Sequence, residues 1–434
     1  MKKRKTLLSA ILLTSLVCLS GCSLFNDDDI AIKNSYNPQT SEPEEDPNAI
    51  KVGGVVGKEV ETVPNALCFK SIPYGTNEKV LNSYKVGGVN HDDVKYTING
   101  GEDYPSNKSN NNYDLYVPNS VSKTEKHTVI LFVHGGAWVS GFKTDVNPYV
   151  HEFAKKGYVT ATIKYSLLKR SMDDTSLSIF RNLDEIDACI SSIKSSLEEL
   201  DFDTTKTELV IGGASSGAHL SMLYSYSRGD KCPLPIKFIV DAVGPVDINP
   251  DGWKAFKNSN ETVLNGGIDK TAIQTQKDAG NLGSLSIAGE KDGEGNPVYW
   301  NDYQTMRIAN GMCGMPYTIE QIETTTDSKK EDILYPNEYS NSLLDPSDGA
   351  ESILSVTYWM NKGINKYKTV CAYAGKDSIV GIAQYARLQS AFDANGIEYE
   401  YTYFKNSDHT EITAEKDVTA YNDFIENITD WLEA

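Results

Sequence analysis

Apolar positions along this chain follow two rhythms. His127–Val133 reads His-Thr-Val-Ile-Leu-Phe-Val, a continuous apolar run of the kind a strand buried on both faces requires. Residues 112–117 (Asn-Tyr-Asp-Leu-Tyr-Val) alternate and stop at Pro118, which predicts a half-buried strand. Runs at 158–165, 209–211, 236–243, 367–374 and 399–404 extend the strand series. Between them the period changes. A helix is expected over 149–156, and Leu177, Phe180, Leu183, Ile186, Ile190, Ile193 and Leu197 recur every three or four residues. Residues 416–432 carry Val418, Phe424, Ile425, Ile428 and Trp431 on one stripe. Strands alternating with helices predict an α/β domain on a mostly parallel central sheet flanked by helices.

Two stretches break the rhythm. Residues 22–60 hold Asp27-Asp-Asp29 and Glu42-Pro-Glu-Glu-Asp46 with almost no apolar periodicity, and are expected to form an acidic flexible tether ahead of a domain over 61–434. Residues 250–348 are rich in Asn, Gly, Asp and Thr, with short helical hints at 301–312 and 317–322. An excursion of that length inside a sheet domain is expected to be an inserted lid or cap.

The first residues are Met1-Lys-Lys-Arg-Lys5, then an apolar run over 7–19, then Leu19-Ser-Gly-Cys22. A charged start, a short apolar stretch and small residues at the end make 1–21 a signal peptide, too short to span a bilayer stably. The Leu-Ser-Gly-Cys ending resembles a bacterial lipobox, which implies lipidation of Cys22. The expected location is the bacterial cell envelope, outside the cytoplasm, held to a membrane through that lipid. Loss of 1–21 takes four basic and no acidic residues, moving the net charge from −19 to −23. Such a surface repels nucleic-acid phosphates and anionic headgroups, so neither is expected as a main partner. Beyond Cys18 and Cys22, five scattered cysteines show neither C-x-x-C nor metal spacing. They are expected to fill the core rather than to hold a disulfide framework or zinc.

Candidate chemistry gathers after the apolar runs. Gly213-Ala-Ser-Ser-Gly217 follows the 209–211 run and precedes a helix-compatible stretch. This is the G-x-S-x-G arrangement, in which a serine stands on a sharp strand-to-helix turn and side chains at the glycines would clash. His134-Gly-Gly-Ala-Trp138 follows the 127–133 run; adjacent glycines there can turn N–H groups toward a developing oxyanion. Of six histidines, His409 lies in a loop after the last strand and is the expected general base for Ser215. His134 is expected to brace its loop and His219 to point into packing. Asp377, after the penultimate strand, is the expected orienting acid. Asp247 is the alternative, while Asp408 is badly placed beside His409 and Asp241 lies within a strand.

Together His134-Gly-Gly-Ala-Trp, Gly-Ala-Ser-Ser-Gly, Gly375-Lys-Asp377 and Ser407-Asp-His409 resemble the α/β-hydrolase carboxylesterases and lipases, in the hormone-sensitive-lipase-like or bacterial feruloyl/acetyl-esterase-like branch. The resemblance spans roughly residues 70–434, with the insert poorly matched. It implies the α/β-hydrolase fold, Ser215 as nucleophile, His409 as base and Asp377 as acid. It also implies an oxyanion hole from the N–H groups of Gly135, Gly136 and Ser216, with neither metal nor cofactor. Position 216 is more often alanine in this branch; serine keeps the N–H. The implied substrate is a small-molecule or carbohydrate ester with a small acyl group, acetyl or feruloyl among them. An amidase or arylformamidase uses the same parts, and a non-catalytic envelope binding protein could use the same fold.

Overall fold

The computed structural model describes residues 49–75, 78–80, 85–86, 89–90, 95–98, 111–138, 141–168, 178–248, 286–291, 297–299, 317–323, 330–336, 354–377 and 379–434. The expected signal peptide, Cys22, most of the expected tether and most of the 250–348 insert lie outside the described residues.

Nine of the described strands form the main sheet. They are β1 (Lys58–Val60), β2 (Val63–Pro73), β3 (Asn112–Pro118), β4 (His127–Val133), β5 (Val159–Lys164), β6 (Thr207–Ala214), β7 (Ile236–Ala242), β8 (Thr369–Ala374) and β9 (Tyr399–Phe404). Their spatial order is β9-β8-β7-β6-β4-β5-β3-β2-β1. All pairs from β9 to β5 are parallel, and the last three joins are antiparallel. This is the α/β-hydrolase architecture. The parallel register pairs Val133 with Gly213, Gly213 with Asp241, Ala242 with Ala372, and Ala374 with Phe404. The loops after β4, β6, β7, β8 and β9 therefore leave from one edge, where α/β sheets bind ligands.

The continuous apolar runs are explained by layers on both faces. Val129, Leu131 and Val133 join Leu209, Ile211 and Ile239 in one core, with Leu183, Ile186, Ile190 and Ile193 of α2 (Ile179–Glu199) and Leu220 and Leu223 of α3 (Ser216–Arg228). Met360 of α4 (Val356–Lys362) and Leu388 and Phe392 of α5 (Ile382–Asn395) complete that layer. Ile130 and Phe132 point the other way, into a core with Val150 and Phe153 of α1 (Asn147–Lys155) and Phe424, Ile428 and Trp431 of α6 (Val418–Glu433). Cys68, Cys189 and Cys371 are buried thiols and Cys232 is partly buried, all four free.

Three expectations are corrected. The tether was expected to run to residue 60, yet Lys51–Val52 pairs with Val55–Val56 and β1 joins the main sheet. Val52 is fully buried, and the Gly53 N–H donates to Glu199 Oε2 at 2.9 Å. The helical hint at 317–322 is a strand, Tyr317–Glu323, antiparallel to Lys330–Pro336; the hint at 301–312 lies outside the described residues. Finally, β3 is buried along its whole length rather than on one face. Its polar side finds partners: Lys143 Nζ, on a 3-10 turn, donates to Asp114 Oδ1 and Asn112 Oδ1, both at 2.6 Å, and to Ser71 Oγ at 2.9 Å. Asp114 also accepts the Ser71 N–H at 2.7 Å, where β2 bulges at φ +60°.

Removing one partner of a buried ion pair strands the other charge. Lys143→Met is therefore expected to lower the unfolding free energy by about 3 kcal/mol in urea titrations. A loss below about 1 kcal/mol would place this pair with ordinary surface salt bridges.

Candidate active site

Ser215 sits between β6 and α3 at φ +54° and ψ −123°, a backbone region few non-glycine residues adopt. The glycines at either side are required by close approach. A Cβ at Gly217 would overlap the carbonyl oxygens of Val133 and His134, and one at Gly213 would stand 2.6 Å from the Val133 oxygen. The Ser215 N–H donates to Ala242 O at 2.8 Å, and its carbonyl accepts the His219 N–H at 3.1 Å as α3 begins.

Residues far apart in sequence meet at this serine. His409 Nε2 lies 2.8 Å from Ser215 Oγ, and His409 Nδ1 lies 2.7 Å from Asp377 Oδ2. Asp377 Oδ1 accepts the N–H groups of Ile379 and Val380, each at 2.8 Å. A carboxylate offers only acceptors, so Nδ1 carries the imidazole proton and Nε2 is free to accept from the serine hydroxyl. The loops holding the two are tied by Lys376 N–H to Ser407 O at 3.0 Å. Asp408 turns away to accept from Thr410 N–H and Oγ1. Asp247 is engaged elsewhere: Oδ2 pairs with Arg387 at 2.7 Å and Oδ1 accepts from Ser355 Oγ at 3.2 Å.

The 134–138 loop passes against the sharp turn from β6 into α3 at Ser215, the elbow. A Cβ at Gly135 would meet Ala214 O at 2.9 Å and Ser215 Cβ at 3.2 Å, so this glycine backbone borders Ser215. Gly136 follows at φ +114°, and Ser216 opens α3 on the other side. The His134 ring braces the loop. Nδ1 donates to Gly135 O at 2.8 Å, the ring stacks on Tyr165 at 4.3 Å, and Tyr165 Oη donates to His134 O at 3.1 Å. Burial pushes its pKa down to about 4.

Sequence reasoning missed the rest of the brace. Ala137 and Trp138 take φ +51° and +62°, and Trp138 is buried. Its indole N–H donates to His219 Nδ1 at 3.3 Å, and its carbonyl accepts the Leu168 N–H at 2.8 Å. His219 Nε2 donates in turn to Leu354 O at 2.8 Å. His219 thus links the 134–138 loop to the point where the chain returns from the insert. Burial holds this ring neutral, with its pKa down to about 4. His219 being four residues past Ser215 was the available signal, since that offset places it one turn along the same helix. His127 bonds Thr207 Oγ1 and His151 bonds Tyr116 Oη, neither near Ser215; His91 lies outside the described residues. No cluster of three metal-ligating side chains occurs among the described residues, and none of their helices is long and apolar enough to cross a membrane.

Residues 113–280 match the BD-FAE family model. That span includes Gly135, Gly136, Ser215 and Ser216, while Asp377 and His409 lie beyond it. Solved structures similar to the chain include a truncated carbohydrate esterase from gut microbiota, at 13% identity over 74% of this chain and 91% of that one, with a TM-score of 0.46. Esterase B from Lactobacillus rhamnosis gives 13%, 74%, 81% and 0.46 by the same measures. The butyrate-bound esterase Est2 of Thermogutta terrifontis gives 14%, 75%, 89% and 0.44. Among curated proteins, the non-reducing polyketide synthase ausA of Aspergillus calidoustus is 26% identical over 148 residues, which is 32% of this chain and 6% of that protein.

The neutral His219 has a consequence for stability. Its ring charges near pH 6.5 when unfolded and near 4 when folded, so between those values the unfolded chain binds the extra proton. Stability from this group falls as pH falls through this window. His219→Phe is expected to remove up to about 1.4 kcal/mol per pH unit of that slope, whatever constant loss it brings. Urea titrations at several pH values between 5 and 6.5 read the slope; an unchanged slope would mean that the ring binds protons equally in the folded and unfolded chain.

Proposed function

We propose that this chain is a serine carboxylesterase acting on small acyl esters, with acetyl or feruloyl groups on carbohydrates as the favoured substrates. The observation that carries it is the continuous pair of hydrogen bonds from Ser215 Oγ through His409 to Asp377, ending on a serine held at φ +54°. The BD-FAE match over 113–280 supports the coarser reading, an esterase hydrolase.

In the proposed reaction Ser215 Oγ attacks the ester carbonyl while His409 Nε2 takes its proton. Asp377 steadies the imidazolium through Nδ1–H. The negative charge on the tetrahedral oxygen meets the N–H groups of Gly135, Gly136 and Ser216, the last at the positive end of α3. His409 then protonates the departing alcohol, and water, activated by the same ring, releases the acyl group. We also propose export as a lipoprotein anchored through Cys22, supported by the Leu19-Ser-Gly-Cys22 ending alone.

Hydrolysis of p-nitrophenyl acetate, butyrate and octanoate tests the reading. Activity is expected to fall with chain length. Ser215→Ala is expected to cost roughly 10⁴–10⁶-fold in kcat, and Asp377→Asn on the order of 10⁴-fold, with folding intact. A comparable loss in Asp247→Asn, with Asp377→Asn active, would reverse the choice of acid. An arylformamide turned over in preference to the esters would move the assignment to an amidase. For the anchor, cells fed labelled palmitate are expected to mark the wild-type chain and not Cys22→Ala; equal labelling would reject it.

A further inference from the structure

The turn after β7 packs directly behind Ser215, and the proposed reaction uses none of its polar groups. Ala242 O accepts the Ser215 N–H at 2.8 Å. Val243 follows at φ +51°, a strained position for a β-branched residue, with its N–H on Ala372 O at 2.9 Å. At Gly244 a Cβ would stand 2.5 Å from Asp241 Oδ1 and 2.8 Å from Ala218 Cβ of α3. The turn is therefore pinned between β8 and the elbow helix.

Asp241, fully buried, closes it. Oδ1 accepts the Gly244 N–H at 2.8 Å. Oδ2 lies 2.8 Å from Tyr373 Oη, which also lies 2.7 Å from Gly244 O. A phenol has one proton to give. The Gly244 carbonyl can only accept, so Tyr373 donates there. The proton in the remaining contact must then come from the carboxyl group. We propose that Asp241 is a neutral carboxylic acid donating from Oδ2 to Tyr373, and that this proton fixes the 242–244 turn on which Ser215 rests. Asp241 is then a positioning residue for the nucleophile; only this catalytic consequence rests on the esterase reading.

The surroundings agree. Titratable groups facing Asp241 are Cys371 and Tyr373 from β8 and Tyr226 from α3, while β6 presents Gly213 across the register. All are neutral acids, and no cation among the described residues balances a charge here. Burial pushes the Asp241 pKa from 3.8 up to about 7. Between those values the folded chain holds a proton the unfolded chain has lost. Stability from this group therefore declines as pH rises from 3.8 to about 7 and is level above. Once ionised, Asp241 can no longer donate to Tyr373, and the turn loses a member of its hydrogen-bond chain.

Asp241→Asn supplies the test, because an amide can donate from Nδ2 to Tyr373 and accept at Oδ1 without titrating. Infrared difference spectra below neutral pH are expected to show a protonated-carboxyl stretch in the wild type that the variant lacks. The melting temperature of wild type relative to the variant is expected to fall as pH rises toward neutrality, and the kcat ratio of wild type to variant to fall severalfold across the alkaline side. Absence of the band, or a melting difference constant with pH, overturns the assignment; a kcat ratio constant with pH overturns the positioning role. If neither protein turns over an ester, the band and the melting curves still decide the proton, and the failure belongs to the esterase reading. If the variant does not fold, ¹³Cγ NMR of wild-type aspartates reads the same group: a carboxyl still protonated well above the usual aspartate range is expected, and none would overturn the proposal.

Discussion

The contact between the glycines of the elbow and the carbonyl oxygens leaving β4 governs the rest of the site. No side chain fits at Gly213 or Gly217, because Val133 O and His134 O occupy the space where Cβ would lie. Two loops from adjacent parallel strands are thereby brought into backbone contact, and Gly135 continues the contact onto Ala214 and Ser215. Strain collects around that meeting point. Ser215, Ala137, Trp138 and Val243 are four of the seven described non-glycine residues with positive φ, and they lie on the loops after β6, β4 and β7. Each such conformation costs on the order of 1–3 kcal/mol and persists only where the surroundings over-determine it. Here the surroundings do so with backbone bonds: Ser215 N–H to Ala242 O, Leu168 N–H to Trp138 O and Val243 N–H to Ala372 O.

What could be read from the sequence divides along the range of the interactions. β4, β6, β7 and β8 announce themselves because both their faces are covered, leaving unbroken apolar runs, and α2 does so through one long stripe. The loops that carry Ser215, Asp377 and His409 follow from strand order, since parallel strands release their C-terminal loops on one edge. The failures are tertiary. The polar side of β3 reads as solvent-facing until Lys143, 29 residues away from Asp114, covers it. β1 and the 51–56 pair have only two or three residues each and exist through their partners, with no pattern of their own. Residues 317–323 fit either period over so short a length, and pairing with 330–336 decides. Trp138 to His219 spans 81 positions and Tyr373 to Asp241 spans 132, distances at which no spacing rule operates. Asp241 is easily set aside as a residue within a strand, and its location there is what buries it.

These long-range contacts share an electrostatic character. His134 and His219 are pushed toward the neutral form by burial, and Asp241 toward its protonated form. The tyrosines beside them, Tyr165 and Tyr373, are held still more firmly as neutral phenols. Asp377 is treated differently: two backbone N–H groups and an imidazole N–H donate to its two oxygens. A charge in a poorly screening interior acts over longer distances than one in water, so extra charges near Ser215 would bias any negative charge developing there. Supporting the strained loops with neutral donors and acceptors avoids that interference. In the proposed esterase, the scaffold thus supplies rigidity without field, and the field at the reacting oxygen is left to Asp377, His409 and the amides at the start of α3.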